Sequence, residues 1–186
     1  DHTFLGPLGL LWNEYPLAVC LGIHNLQVQA QPDKRVVILT RGVYPGLQRT
    51  GATFWTGDID ASWDTLRRQL VDGLNTCLSG IPYWCTDIGA FTLKNYPKGC
   101  ESPAYRELYV RWFQFGAFFG MFRSHGTQTP REPWRFGEPG DDTYDTLLRF
   151  ANLRYRLMPY LYSTTWQVTT KNDTLMRALV MDFPND

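Results

Sequence analysis

Hydrophobic and polar positions change their period along the chain. Val36-Val37-Ile38-Leu39-Thr40 is an uninterrupted β-branched and apolar run, the pattern of a parallel strand covered on both faces, and it ends at Arg41. A connection containing Gly and Pro leads to a second β-prone run over 53–56. Asp60 or Ser62 then offers an N-cap, and Trp63, Leu66, Leu70, Leu74 and Cys77 recur at helical spacing. That stripe can dock on a sheet until Ser79-Gly80 stops the helix. A third strand is predicted over 81–85. Ser102-Pro103, a capping side chain followed by proline, starts a helix that carries Leu108, Trp112, Phe115 and Phe119 and is expected to stop near Arg123. Residues 125–142 contain three Pro and three Gly, which predicts a long surface loop suited to wall or cover a site. A last helix is predicted over 143–166, bent at Pro159, and a final strand near 175–183. The alternation is βαβ, with no internal repeat and no low-complexity tract, so the fold class expected is α/β.

Length and charge narrow the possibilities. At 186 residues the chain can bury a real core but is shorter than the roughly 250 residues of a complete (β/α)8 barrel, so a barrel reading makes it a piece of one. The opening Asp1-His2-Thr3 has no initiating Met and no signal-peptide character. Eighteen basic residues balance eighteen acidic ones, which argues against nucleic acid or an anionic membrane surface as partner and for a neutral ligand. No apolar run approaches the roughly 20 residues of a membrane helix. Cys20, Cys77, Cys85 and Cys100 have no zinc-site spacing and read as buried thiols. Cys85 and Cys100 could nevertheless pair across one loop in an exported protein, where the sequon Asn172-Asp173-Thr174 would also find use. These two features lean towards a periplasmic or extracellular setting without fixing the compartment. Oligomeric state is not legible.

The candidate chemistry lies at strand ends. Asp58 closes Trp55-Thr56-Gly57-Asp58, and Asp87 follows 29 residues later in Tyr83-Trp84-Cys85-Thr86-Asp87-Ile88-Gly89-Ala90-Phe91. In a repeating strand and helix pattern such ends converge on one face, where barrel enzymes keep their chemistry. Asp58 is either a helix-capping group or a general acid whose proton is held by desolvation and by a second carboxylate. Asp87 is either an Asx-turn residue or an acceptor for adjacent sugar hydroxyls. Arg123 and His125 are either a helix-end charge and a structural donor or, with Asp87, a hydroxyl-reading cluster. Aromatic residues make up 15% of the chain, enough to stack on sugar rings as well as to fill a core.

In order, Leu39-Thr40-Arg41, Trp55-Thr56-Gly57-Asp58, Ser79-Gly80-Ile81-Pro82-Tyr83-Trp84, Thr86-Asp87-Ile88-Gly89-Ala90-Phe91, Arg111-Trp112-Phe113-Gln114-Phe115-Gly116, Arg123-Ser124-His125-Gly126 and residues 153–162 resemble glycoside hydrolase family 31. The likeness covers the chain from about Gly22 onward. It implies a retaining α-glycosidase with a (β/α)8 catalytic domain, of which residues 1–186 would be a fragment, about strands 5 to 8 with their helices, lacking the N-terminal half. It further implies that Asp58 is the acid/base and that Arg41, Trp55, Asp87, Phe91, Arg123 and His125 bind substrate. No metal and no cofactor is implied, and the expected partner is an oligosaccharide or other glycoside.

Three departures accompany the resemblance. The family's nucleophile motif, of the W-x-D-M-N-E or L-D-A-T-E-P kind, has no counterpart. Trp12-Asn13-Glu14-Tyr15-Pro16 lacks the aspartate and is more similar to the F-N-x-Y-P-L segment that follows the nucleophile. Ala90 replaces the second glycine of D-I-G-G-F, and Gly120 stands where many members have proline. Retention needs two carboxylates about 5 to 5.5 Å apart, so the isolated chain is expected to be inactive and its parent active. The motifs are nearer the α-xylosidase branch than the lysosomal or intestinal α-glucosidases. An α-glucosidase of the same family and a noncatalytic carbohydrate-binding relative remain the alternatives. A nucleotide-binding reading lacks both a P-loop and a dinucleotide glycine fingerprint.

Overall fold

Three short strands are joined so that their C-terminal ends point the same way. The computed structural model describes residues 2–4 and 6–185. In chain order the elements are β1 (His2–Thr3), β2 (Gly6–Pro7), α1 (Leu8–Leu11), α2 (Tyr15–Ala30), β3 (Leu39–Thr40), β4 (Thr53–Trp55), α3 (Trp63–Leu78), β5 (Trp84–Cys85), α4 (Pro103–Gly116), α5 (Asp142–Lys171) and α6 (Leu179–Asp182). Strands β1 and β2 form a small antiparallel pair. Strands β3, β4 and β5 form a parallel sheet in that order, with Leu39 opposite Thr53, Phe54 opposite Trp84 and Trp55 opposite Cys85. Parallel neighbours need a crossover, which α3 supplies between β4 and β5. The architecture is mixed α/β.

The strand predicted from Val36 narrows to Leu39–Thr40, and Val37 is 72% exposed. Strand β3 is an edge among the described residues, so a run composed for cover on both faces has it on one. The third strand likewise contracts to Trp84–Cys85. Three groups of buried side chains hold the layers. Ile88, Leu93, Tyr105, Tyr109, Trp112 and Phe136 pack between the loops after β4 and β5 and helices α4 and α5. Cys20, Ile38, Leu47, Ala52 and Ile81 lie under α2. Trp84, Cys85 and Phe119 close the remaining face of the sheet, with Phe119 edge-on to Trp84 at 5.2 Å between centroids.

Ser62 is the cap of α3, its Oγ accepting from the Thr65 amide at 3.0 Å, and Asp60 instead serves a loop. The buried side of α3 carries Gln69, Gly73 and Cys77, while Trp63 and Leu70 of the predicted stripe are half exposed. Helix α4 is capped by Ser102 with Pro103 in its first turn, as expected, but ends at Gly116, well before Arg123. The carbonyls beyond that end are taken by Arg154 of α5, which donates to Phe119, to Ala117 at 3.2 Å and to Gly120 at 2.8 Å. Helix α5 continues through Pro159 to Lys171, where Asn172 in the left-handed conformation stops it.

The final strand predicted near 175–183 is absent, replaced by a turn and the short helix α6. Arg177 forms ion pairs with both Asp173 and Asp182. An extended chain would hold those carboxylates at least about 13 Å from the arginine's backbone, so the pairing requires a curled segment. All four cysteines are free, and Cys85 lies against Met121 Sδ at 4.0 Å, not against Cys100. Helix α2 was not anticipated, since its apolar residues surround it without a face.

Candidate active site

Arg41 follows β3 directly, Asp58 lies three residues beyond β4 and Asp87 two beyond β5, so the parallel sheet delivers all three to one edge. Arg41 Nη1 approaches Asp58 Oδ2 at 3.4 Å. The turn at Gly57 makes room for this pair. It has φ 79°, and a Cβ there would stand 2.9 Å from Arg41 Nη2. The side chains of Arg41 and Asp58 are 61% and 45% exposed, so Asp58 is paired and half open to solvent, not desolvated as expected from Trp55 beside it.

Asp87 is built differently. Its side chain is fully buried and its Oδ1 receives Arg123, while Oδ2 is buried without a hydrogen-bond partner among the described residues. Arg123 also lies over the Trp55 ring at 5.6 Å, and the indole Nε1 of Trp55 is likewise buried and unpartnered among the described residues. His125 stands beside Phe91, with centroids 5.5 Å apart and planes tilted by 32°. Burial pushes the Asp87 carboxyl above its ordinary value, Arg123 and His125 pull it back, and the charge of Asp58 adds to the push. The same burial drives the Cys85 thiol up to about 12. The structure therefore brings all seven predicted residues together as two linked groups, Arg41 with Asp58 and Asp87 with Arg123, Trp55, His125 and Phe91.

Arg123 and His125 reach the site by a route the sequence did not suggest. They do not leave a helix end but flank Ser124, which bridges in parallel to Ile88, with the Ile88 amide donating to the Arg123 carbonyl at 3.1 Å. This segment lies where a further strand beside β5 would run. Sequence reasoning also passed over the supports: Tyr105 Oη donates to the Gly89 carbonyl at 2.9 Å, and Tyr109 Oη lies 2.9 Å from Ser124 Oγ. Two tyrosines four apart in a helix directly after the Asp87 motif were the available sign, since i and i+4 share a face. Burial raises both phenols, that of Tyr109 to about 12, and keeps them as donors. Among the described residues no group of three or more His, Cys, Asp or Glu side chains could hold a metal ion, and no helix is long and apolar enough to cross a membrane.

The ends of the parallel strands thus carry one half-open carboxylate and one buried, arginine-held carboxylate on an α/β scaffold. A family model for the glycosyl hydrolases family 31 TIM-barrel domain matches residues 8–164, and the chain belongs to that family. The match starts ahead of the expected Gly22 and takes in the Trp12 to Pro16 segment. An α-xylosidase of Saccharolobus solfataricus is 45% identical over 174 residues, covering 94% of this chain and 23% of its own. A probable glucan 1,3-alpha-glucosidase of Arabidopsis thaliana is 37% identical, covering 87% of this chain and 16% of its own. Among solved structures, a family 31 α-xylosidase of Xanthomonas citri superposes with TM-score 0.93 at 41% identity, over all of this chain and 20% of that one. One from a soil metagenome, solved with xylose, gives 0.91 at 33% identity over all of this chain and 29% of that one. The chain thus spans about a quarter or less of the curated relatives it matches.

Proposed function

We propose that these residues are the acid-bearing and sugar-binding part of a retaining α-glycosidase, about strands 5 to 8 of its (β/α)8 catalytic domain with their helices. The whole enzyme hydrolyses terminal non-reducing α-linked xylose. The observation that carries the reading is the meeting, at the ends of neighbouring parallel strands, of a half-open Asp58 with a buried Asp87 that holds Arg123, whose side chain stays 20% exposed: a carboxylate within reach of a ligand next to a fixed cation that can donate to a hydroxyl. A neutral polyol can accept from Arg123, whose charge Asp87 already balances, without bringing a further charge into the site.

In this scheme Asp58 gives its proton to the glycosidic oxygen as the bond to the anomeric carbon breaks, then removes one from the water that releases the sugar. Arg41, which touches Asp58, contacts the substrate and orients that carboxyl. Asp87 and Arg123 hold adjacent hydroxyls, His125 adds a further polar contact, and Trp55 and Phe91 wall the ring. The attacking carboxylate is supplied from outside these residues, since none of them matches its motif. No cofactor is required, because proton transfer and carboxylate attack suffice.

Xylose is favoured by the α-xylosidases among the similar proteins, while similarity to α-glucosidases keeps glucose as the second reading. Comparing the turnover of an aryl α-xyloside and an aryl α-glucoside by the complete enzyme decides between them, with a higher kcat/KM expected for the xyloside. The 186-residue chain alone is expected to turn over neither. Measurable hydrolysis by the purified chain would overturn the fragment assignment.

A further inference from the structure

Below the sugar-binding group, one cation gives the hydrogen bonds of both its terminal nitrogens to backbone carbonyls, while its buried Nε has no partner among the described residues. Arg131 donates from Nη2 to Ala90 O at 2.6 Å and from Nη1 to Thr129 O at 2.8 Å and Thr127 O at 3.3 Å. No carboxylate pairs with it among the described residues. Its own carbonyl accepts from Tyr109 Oη at 2.9 Å, and that hydroxyl meets Ser124 Oγ, which donates to Ile88 O at 3.3 Å. Gly126 lets the guanidinium in close: a Cβ there would lie 2.6 Å from Arg131 Cζ and 2.7 Å from Ala90 O.

The carbonyl it grips belongs to a strained residue. Ala90 sits at φ 65°, a left-handed conformation that a Cβ disfavours, with its amide donating to Asp87 O at 2.9 Å. That hydrogen bond ties the turn to the Asp87 peptide, so a shift at Ala90 is passed on to Asp87. The other contacts of Arg131 bind the 127–131 loop, which continues directly from His125. A planar fork of donors suits three converging carbonyls, and an ammonium cannot reproduce it.

The geometry points to Arg131 as a positioning residue that fixes the spacing between the Asp87 turn and the Arg123 to His125 segment without touching substrate. This rests on the reading of Asp87, Arg123 and His125 as the sugar-binding group. In the complete enzyme, Arg131→Ala lowers kcat/KM for an aryl α-xyloside by about 10²-fold per folded molecule, with KM raised, because sub-ångström placement of the hydroxyl-holding groups is lost. Millimolar guanidinium ion restores about tenfold of that loss, and Arg131→Lys recovers less. A lowered melting temperature with kcat/KM within about twofold of the parent and no guanidinium response would make Arg131 merely structural and overturn the proposal. Should Arg131→Ala not fold, Tyr109→Phe and Arg131→Lys serve instead, and an unchanged KM in both overturns it equally. Asp87→Asn, assayed alongside for KM and sugar affinity, separates the two ideas. An unchanged KM and affinity there defeat the sugar-binding reading itself, whereas weakened binding there with unaffected Arg131 variants defeats only the positioning role.

Discussion

Asp58 and Asp87 follow neighbouring parallel strands, three and two residues beyond their ends, yet one is 45% exposed and the other fully buried. The chain after β4 turns at Gly57, and Asp58 pairs with Arg41 and is otherwise half exposed among the described residues. The chain after β5 runs into the core through Ile88 and Ala90 and is flanked by the Arg123 to His125 segment. An exposed ion pair is worth about 0–1 kcal/mol and can be given up when substrate arrives. A buried pair gains little when formed but is costly to break. Strand-end position delivers both carboxylates to one side of the sheet, and the loop that follows decides how deeply each is buried.

The sharpest test of this contrast separates rate from stability. Asp58→Asn in the complete enzyme should lower kcat/KM by about 10²–10⁴-fold on a glycoside with a poor leaving group. The deficit should shrink for a phenol acidic enough to depart unprotonated. Sugar affinity by calorimetry and the denaturation midpoint should hold, the latter to within about 0.5 kcal/mol. Equal deficits for both leaving groups would remove the proton-donor role.

Asp87→Ala should behave in the opposite sense. It strands Arg123, whose side chain is 20% exposed, and should cost about 3–5 kcal/mol of folding stability together with sugar binding. Matching stability losses at positions 58 and 87 would erase the comparison.

The smallest effect is on the pH dependence of folding. Asp60, two residues past Asp58, accepts from Thr92 Oγ1 at 2.8 Å and the Lys94 amide at 3.0 Å. Burial pushes its carboxyl up, but those two bonds, the Lys94 charge and the Ala61 amide together leave it below the ordinary 3.8. A carboxyl lowered by folding contributes stability above its unfolded pKa and loses it as pH falls through the lowered value. Asp87, raised by burial, works in reverse: the native state takes its proton first, and stability falls as pH rises from 3.8 through the raised value. Asp60→Asn should therefore flatten the loss of stability below about pH 4, read from denaturation midpoints across that range. An unchanged acid limb would show that the Thr92 and Lys94 contacts carry no linkage.

The sequence was most legible where local chemistry sets structure. Ser62 and Ser102 cap the helices they precede, and the residues after each apolar run arrive at one edge because parallel strands share a direction. It was least legible where distant partners decide. Arg177 curls a segment of β-prone residues by reaching carboxylates on both sides of it, and pairing with Ile88 sets the path of Arg123, not the helix before it. Helix α2 has apolar residues all round, so no period announced it. The exposure of Asp58 follows from how Gly57 turns, which composition does not encode.

The crossover wiring of the sheet also sets the order in which the molecule can mature. Phe54 faces Trp84 at a sequence separation of 30, and Arg123 meets Asp87 at one of 36, so neither contact can form by local zipping. Each must wait for loop closure, which makes such topologies slow to reach their final state. Helices α3 and α4 can gain their turns early, but the cluster of Asp87, Arg123 and Trp55 is assembled only when the last long-range closure is complete.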